Sequence, residues 1–82
     1  MTSPMTPTRA VVTAAEALLP GVNTEELSAM ARVNPRTARR LLAAAKGGDD
    51  IPSARGVAAA LHDRLTAALV YLEPFKRGAP NA

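Results

Sequence analysis

Residues 23–46 read NTEELSAMARVNPRTARRLLAAAK, and the fold follows from how that stretch divides. Two short helical patterns meet there across a sharp join. The first runs from about Thr24 to Arg32. Asn23 is placed to cap it, and Glu26 stands three residues on, where a carboxylate reaches back to the cap amide. Leu27, Met30 and Ala31 recur at spacings of three and four and make one apolar face. The second pattern opens at Asn34-Pro35, a capping residue followed by a proline whose missing N–H is not needed in a first turn. Gly47-Gly48 closes it.

At about 100° per residue the second helix sorts into two sides. Ala38, Leu41, Leu42 and Ala45 cluster on one. Arg36 and Arg40 stand opposite, flanked by Thr37, Arg39, Ala43 and Ala44. A solvated helix face ordinarily mixes both signs of charge, and this one does not. Between Met30 and Lys46 stand Arg32, Arg36, Arg39, Arg40 and Lys46 with no acid, although the whole chain carries only +3. The remainder of the sequence is therefore net acidic, and the positive charge is concentrated in one place.

This stretch resembles the helix-turn-helix of bacterial and phage DNA-binding proteins. The resemblance rests on Glu26-Leu27-Ser28 opening the first helix, Ala31 near its end, Val33 in the turn and Asn34-Pro35-Arg36-Thr37 starting the second. Ala38 falls where that motif takes a small or β-branched core residue, and Leu41 where it takes a large one. The match covers 24–46 at most and points to DNA binding rather than to one regulator. It departs at Arg32, where the family usually has glycine. A non-glycine residue there must adopt a left-handed conformation at some cost, or the turn differs slightly. The resemblance implies that the second helix enters the major groove with its N-terminal residues on base edges.

On that reading Arg36 and Arg40 are candidates for bidentate pairs with guanine O6 and N7. Asn34 and Thr37 sit at the helix start, where free N–H groups favour a phosphate. Arg32 and Lys46 suit phosphates, and Arg39, on the flank, suits either a phosphate or a base. Ala43 and Ala44 allow close approach and contact with a thymine methyl.

Length and composition agree with a small helical domain. Eighty-two residues make one domain near the lower limit for a self-sufficient core. Hydrophobic residues form 48% of the chain, enough to fold. Eighteen alanines with few β-branched residues favour helix, and there is no strand alternation to suggest a β wing. Tyr71 and Phe75 are the only aromatic residues. The absence of cysteine excludes a disulfide framework and a thiolate metal site. No apolar run reaches the roughly 18–20 residues that span a bilayer, and the first residues lack a signal-peptide pattern. An isoelectric point near 10.2 suits a polyanionic partner. The chain reads as a complete small open reading frame, expected in the cytoplasm and on the nucleoid.

Around the central pair, residues 1–6 read as a flexible start. Thr6-Pro7 opens a helix to about Leu19, with Val11, Val12, Ala15, Leu18 and Leu19 as its stripe, stopped by Pro20-Gly21. GGDDIP is a loop whose Asp49 and Asp50 stay solvated near the next helix start. Ser53 caps the longest pattern, which runs to Leu72 and ends at Glu73-Pro74 because a residue before proline avoids the helical region. Residues 73–82 read as a flexible tail, with Lys76 and Arg77 available to phosphates. The sequence thus predicts an all-α bundle of about four helices over residues 7–72, with the helix-turn-helix at about 24–46 and the long fourth helix at about 53–72.

The fourth stripe, Val57, Leu61, Leu65, Leu69 and Leu72, is either the last wall of the core or a dimer interface, and the second is favoured. Catalytic chemistry finds little support. His62 is the only histidine, Asp63 beside it points to another side of the helix, and no nucleophile set, phosphate loop, cofactor fingerprint or metal-ligand spacing occurs. The expected function is sequence-specific binding of double-stranded DNA at an inverted-repeat operator, as a homodimeric repressor of bacterial, plasmid or phage origin, without enzymatic activity, cofactor or membrane contact. Two alternatives stay open. One is an architectural DNA factor in recombination, partition or packaging. The other is a protein-interaction module that works through its C-terminal helix.

Overall fold

Side-chain caps set where the helices begin. In the computed structural model, which describes residues 5–76, the Thr6 hydroxyl accepts the Arg9 amide at 3.1 Å and Pro7 fills the first turn of α1, Pro7–Leu18. Asn23 and Glu26 form the reciprocal pair expected at the start of α2, Thr24–Ala31. Asn23 Oδ1 accepts the Glu26 amide at 2.8 Å, and Glu26 Oε1 accepts the Asn23 amide at 2.9 Å. Asn34 Oδ1 accepts the Arg36 amide at 2.8 Å and starts α3, Pro35–Gly47. Gly48, at φ 80°, turns the chain out of α3, as a residue without Cβ does most easily. α4 spans Ala54–Leu72, a 3-10 turn follows at Glu73–Phe75, and there is no strand among the described residues.

Two helix boundaries differ from expectation. Ser53 is itself in the helical region, at φ −72° and ψ −11°, and makes no side-chain cap. A cap residue needs extended backbone to aim its hydroxyl at the next amides. α4 is entered instead through a turn in which the Ala54 amide reaches the Ile51 carbonyl at 3.0 Å. Glu73 is also helical despite preceding Pro74, because the chain tightens into the 3-10 turn and the proline sits in its first residues, where no amide is required. The first residues of the expected tail, Glu73–Phe75, are therefore a 3-10 turn. Lys76 pairs with Glu73 at 2.8 Å on the open surface, a contact of little energetic weight. Residues 1–4 of the expected flexible start, and 77–82 of the tail with Arg77, lie outside the described residues.

All four helices contribute to one core. Val11, Val12 and Ala15 of α1 meet Leu27 and Ala31 of α2, Ala38, Leu41 and Ala45 of α3, and Ala54, Val57 and Leu61 of α4, with Val22 between the first two. Most of these side chains are small, so the helices approach closely, and Leu27 and Leu41 are the largest fully buried residues. Leu18 and Leu19 do not join them. α1 ends at Leu18 and Leu19 is extended, so both fall past the last turn that another helix covers. The expected interface stripe of α4 is divided too. Val57 and Leu61 are core and unavailable to a partner, Leu65 is half-buried against the core, and Leu69 and Leu72 are exposed.

One long-range polar link fastens α1 to the entry of α4. The fully buried Thr8 donates its hydroxyl to Asp50 Oδ1 and accepts the Ile51 amide at 2.9 Å, while the Thr8 amide reaches the same carboxylate at 3.2 Å. Asp50 is exposed, as expected of the loop, and is in addition tied to α1. It supplies an acceptor and a negative charge to the N-terminus of α1. The Thr8 hydroxyl outweighs desolvation and, with the Thr8 amide, Arg55 and the Ile51 amide, holds the Asp50 carboxyl below its ordinary value. A lowered folded-state pKa gives stability that is present above the unfolded value and lost as pH falls through the folded one. Thr8→Val should cost roughly 1–2 kcal/mol near neutrality, because the Ile51 amide loses its acceptor. It should also flatten the acid limb of a melting-temperature profile below the usual carboxylate range. An unchanged acid limb would show that the link does not carry this pH dependence.

Candidate nucleic-acid interface

The join between α2 and α3 is held by Ser28. Its carbonyl accepts the amides of Arg32 and Val33, the latter at 3.0 Å, and its hydroxyl donates to the Val33 carbonyl. Arg32 adopts the left-handed conformation expected of it, at φ 55° and ψ 49°, and among the described residues no other non-glycine residue has positive φ. Val33 packs partly against the core and Arg32 projects into solvent. The role of Ser28 escaped the sequence reading. A hydroxyl five residues before the valine of a tight turn is its only local signal.

The join fixes how α3 is rolled. Ala38, Leu41 and Ala45 point inward. Arg36, Arg39, Arg40, Ala43 and Lys46 are exposed, and Thr37 is half-buried at the edge. Ala44 is buried, not presented on the basic face, because the flank of α3 that carries it is covered by the bundle. Asn34 is exposed, but its Oδ1 is occupied by the Arg36 amide, so it acts first as a cap. The Thr37 amide and hydroxyl remain to receive an anion at the helix start.

Arg39, Ala43 and Lys46 face a groove between α1 and α3, with Arg9, Thr13 and Glu16 on its far side. Arg9 belongs to this basic surface and was not foreseen, since its proximity arises only from the packing of two helices distant in sequence. Glu16 is the one acid in the groove lining. The ion pair Glu73–Lys76 and the His62–Asp63 contact lie after and on α4, and among the described residues no acid pairs with the cations of the turn and of α3. His62 and Asp63 do approach each other, at 3.5 Å, because neighbours at an open helix surface can lean together. Both are exposed and no further chemistry-bearing group joins them.

Among the described residues no group of three or more His, Cys, Asp or Glu side chains is placed to hold a metal ion, and no helix is long and apolar enough to cross a membrane. Comparison of the chain with protein-family models, curated proteins and solved structures returns no match.

The left-handed Arg32 supports a further prediction. Glycine suits that backbone better than any L-residue, so Arg32→Gly should stabilise the fold by about 0.5–1 kcal/mol. If the guanidinium meets a phosphate, the same change should weaken duplex binding by a similar factor on every sequence. Thermal melting and a binding titration on one preparation test both. A variant that gains stability and keeps its full affinity would remove Arg32 from the interface.

Proposed function

We propose that this protein binds double-stranded DNA sequence-specifically, with α3 in the major groove in the manner of bacterial and phage helix-turn-helix repressors. One observation carries the reading: the turn and the outer side of α3 expose Arg32, Arg36, Arg39, Arg40 and Lys46, unpaired with any acid among the described residues, on a helix anchored through its opposite side. Such a surface matches a regular polyanion. Arg36 and Arg40 stand at its centre and are assigned to base edges, with Ala43 close enough to the groove floor for a thymine methyl. Arg39 and Lys46 share their groove with Arg9 and are assigned to phosphates beside the major groove, as Arg32 is on the other side. Thr37 completes the anion contact at the helix start.

Two copies on an inverted repeat would multiply a modest single-copy affinity. The protein would then act as a homodimeric repressor on the nucleoid, occluding a promoter without catalysis or cofactor. An architectural DNA role uses the same surface and predicts binding without sequence preference. An affinity titration against salt tests the DNA reading itself. Four phosphate contacts per copy give a log–log slope of about −3.6. An affinity for duplex that does not change with salt would contradict it.

A further inference from the structure

We infer that the end of α4 and the turn after it, residues 66–75, form the surface through which two copies of this chain pair. The inference names the contact behind the homodimer of the preceding reading, and it rests on different residues from those assigned to DNA. α4 is longer than the bundle that covers it. Thr8 ties the first turn of α1 to Asp50 and Ile51, so α1 and α4 set out from the same end. α1 has 12 residues and α4 has 19. Burial on α4 stops accordingly, after Ala54, Val57 and Leu61, with Leu65 half-covered.

The projecting part carries large apolar side chains around most of its circumference, with Thr66 and Glu73 as the exceptions. Leu69 and Leu72 continue the buried stripe and are each 58% exposed, and around the helix Val70 is 66%, Tyr71 79% and Phe75 72% exposed. A helix that is apolar all round is normally buried, and a helix end without packing frays in water. Its occupant is a second copy for two reasons. From Leu65 to Leu72 there is no charged residue, and Glu73, the one charge within 66–75, is paired with Lys76 of its own chain, so a two-fold axis through the patch opposes no unpaired like charges. Nor does such a patch attract an acidic or basic surface. The exposed area also fits. By helical period Leu69, Leu72, Tyr71 and Phe75 fall on one side and Val70 faces away from it. Those four side chains present on the order of 500 Å², and doubled across an axis they reach about 1,000 Å², the least area of a specific interface.

Sedimentation velocity on the full chain across the micromolar range tests this. The wild type should sediment as twice its 8.5 kDa mass. Leu69→Glu with Leu72→Glu should be a monomer, its dissociation constant raised roughly 100-fold, and should keep the cooperative melting of the bundle because neither residue is core, losing helical circular dichroism only from the end of α4. Ala60→Glu, exposed on the covered half of α4, should leave the dimer intact. A monomeric wild type, or a double variant that still dimerises, overturns the inference. The monomeric variant should keep salt-dependent binding to random duplex and lose any preference for inverted repeats. A wild-type dimer that binds no duplex would overturn the DNA reading while supporting this one.

Discussion

Replacing Leu41 with alanine is expected to lower the melting temperature by roughly 10–30 °C, from a loss of about 2–5 kcal/mol. Leu41 is fully buried and, with Leu27, is one of the largest side chains in a core otherwise made mainly of alanine and valine. Small residues already let the helices approach closely, so little further collapse is open to fill the cavity. The whole fold has only roughly 4–12 kcal/mol to lose. The change bears on function because Ala38, Leu41 and Ala45 are the anchor that turns the arginines of α3 outward. Circular dichroism during heating measures the effect, with Arg40→Ala as a control that should move the midpoint very little, since Arg40 is exposed. A drop of only a few degrees for Leu41→Ala would mean that α3 is held by other contacts.

The second large effect is expected in binding. Arg36→Ala and Arg40→Ala should each weaken the preferred duplex by about 1–3 kcal/mol, roughly 5- to 150-fold, and relax base preference at one position of the site. Both residues are exposed at the centre of the basic side of α3, and neither contributes to the core, so the fold should survive the change. Arg9→Ala, Arg39→Ala and Lys46→Ala should behave differently. Each should weaken all duplexes alike and reduce the salt slope by about 0.9. Fluorescence anisotropy on the preferred and a scrambled duplex separates the classes. If Arg36→Ala and Arg40→Ala lose equally on both duplexes, these arginines meet phosphates and the source of specificity lies elsewhere.

What the sequence reveals here is what local chemistry determines. Asn23 with Glu26, Asn34 with Pro35, and Gly48 mark helix ends because each acts within a few residues. The inward side of α3 follows from helical period alone. The left-handed Arg32 is an expectation only through the resemblance to the helix-turn-helix, whose turn usually has glycine at that place. The misses depend on neighbours that periodicity does not show. Leu18, Leu61 and Leu69 sit on similar stripes, yet only Leu61 is buried, because the length of one helix decides how much of another is covered. The Thr8–Asp50 link joins residues 42 apart in sequence, and the meeting of Arg9 with Arg39 needs the packed bundle. Ser53 and Glu73 show that cap and proline preferences yield to local turn geometry, the Ile51–Ala54 turn before α4 and the 3-10 turn after it.

The central claim is that the outer side of α3 reads DNA sequence, and selection of bound duplexes from a random pool at near-physiological salt tests it most directly. The selected pool should be enriched in an inverted repeat with half-sites about one helical turn apart. The enrichment should disappear when Arg36 and Arg40 are both replaced by alanine. Binding without enrichment would contradict sequence reading and leave an architectural role. No binding at all would contradict the DNA interface and leave the apolar end of α4 as the functional surface of the protein.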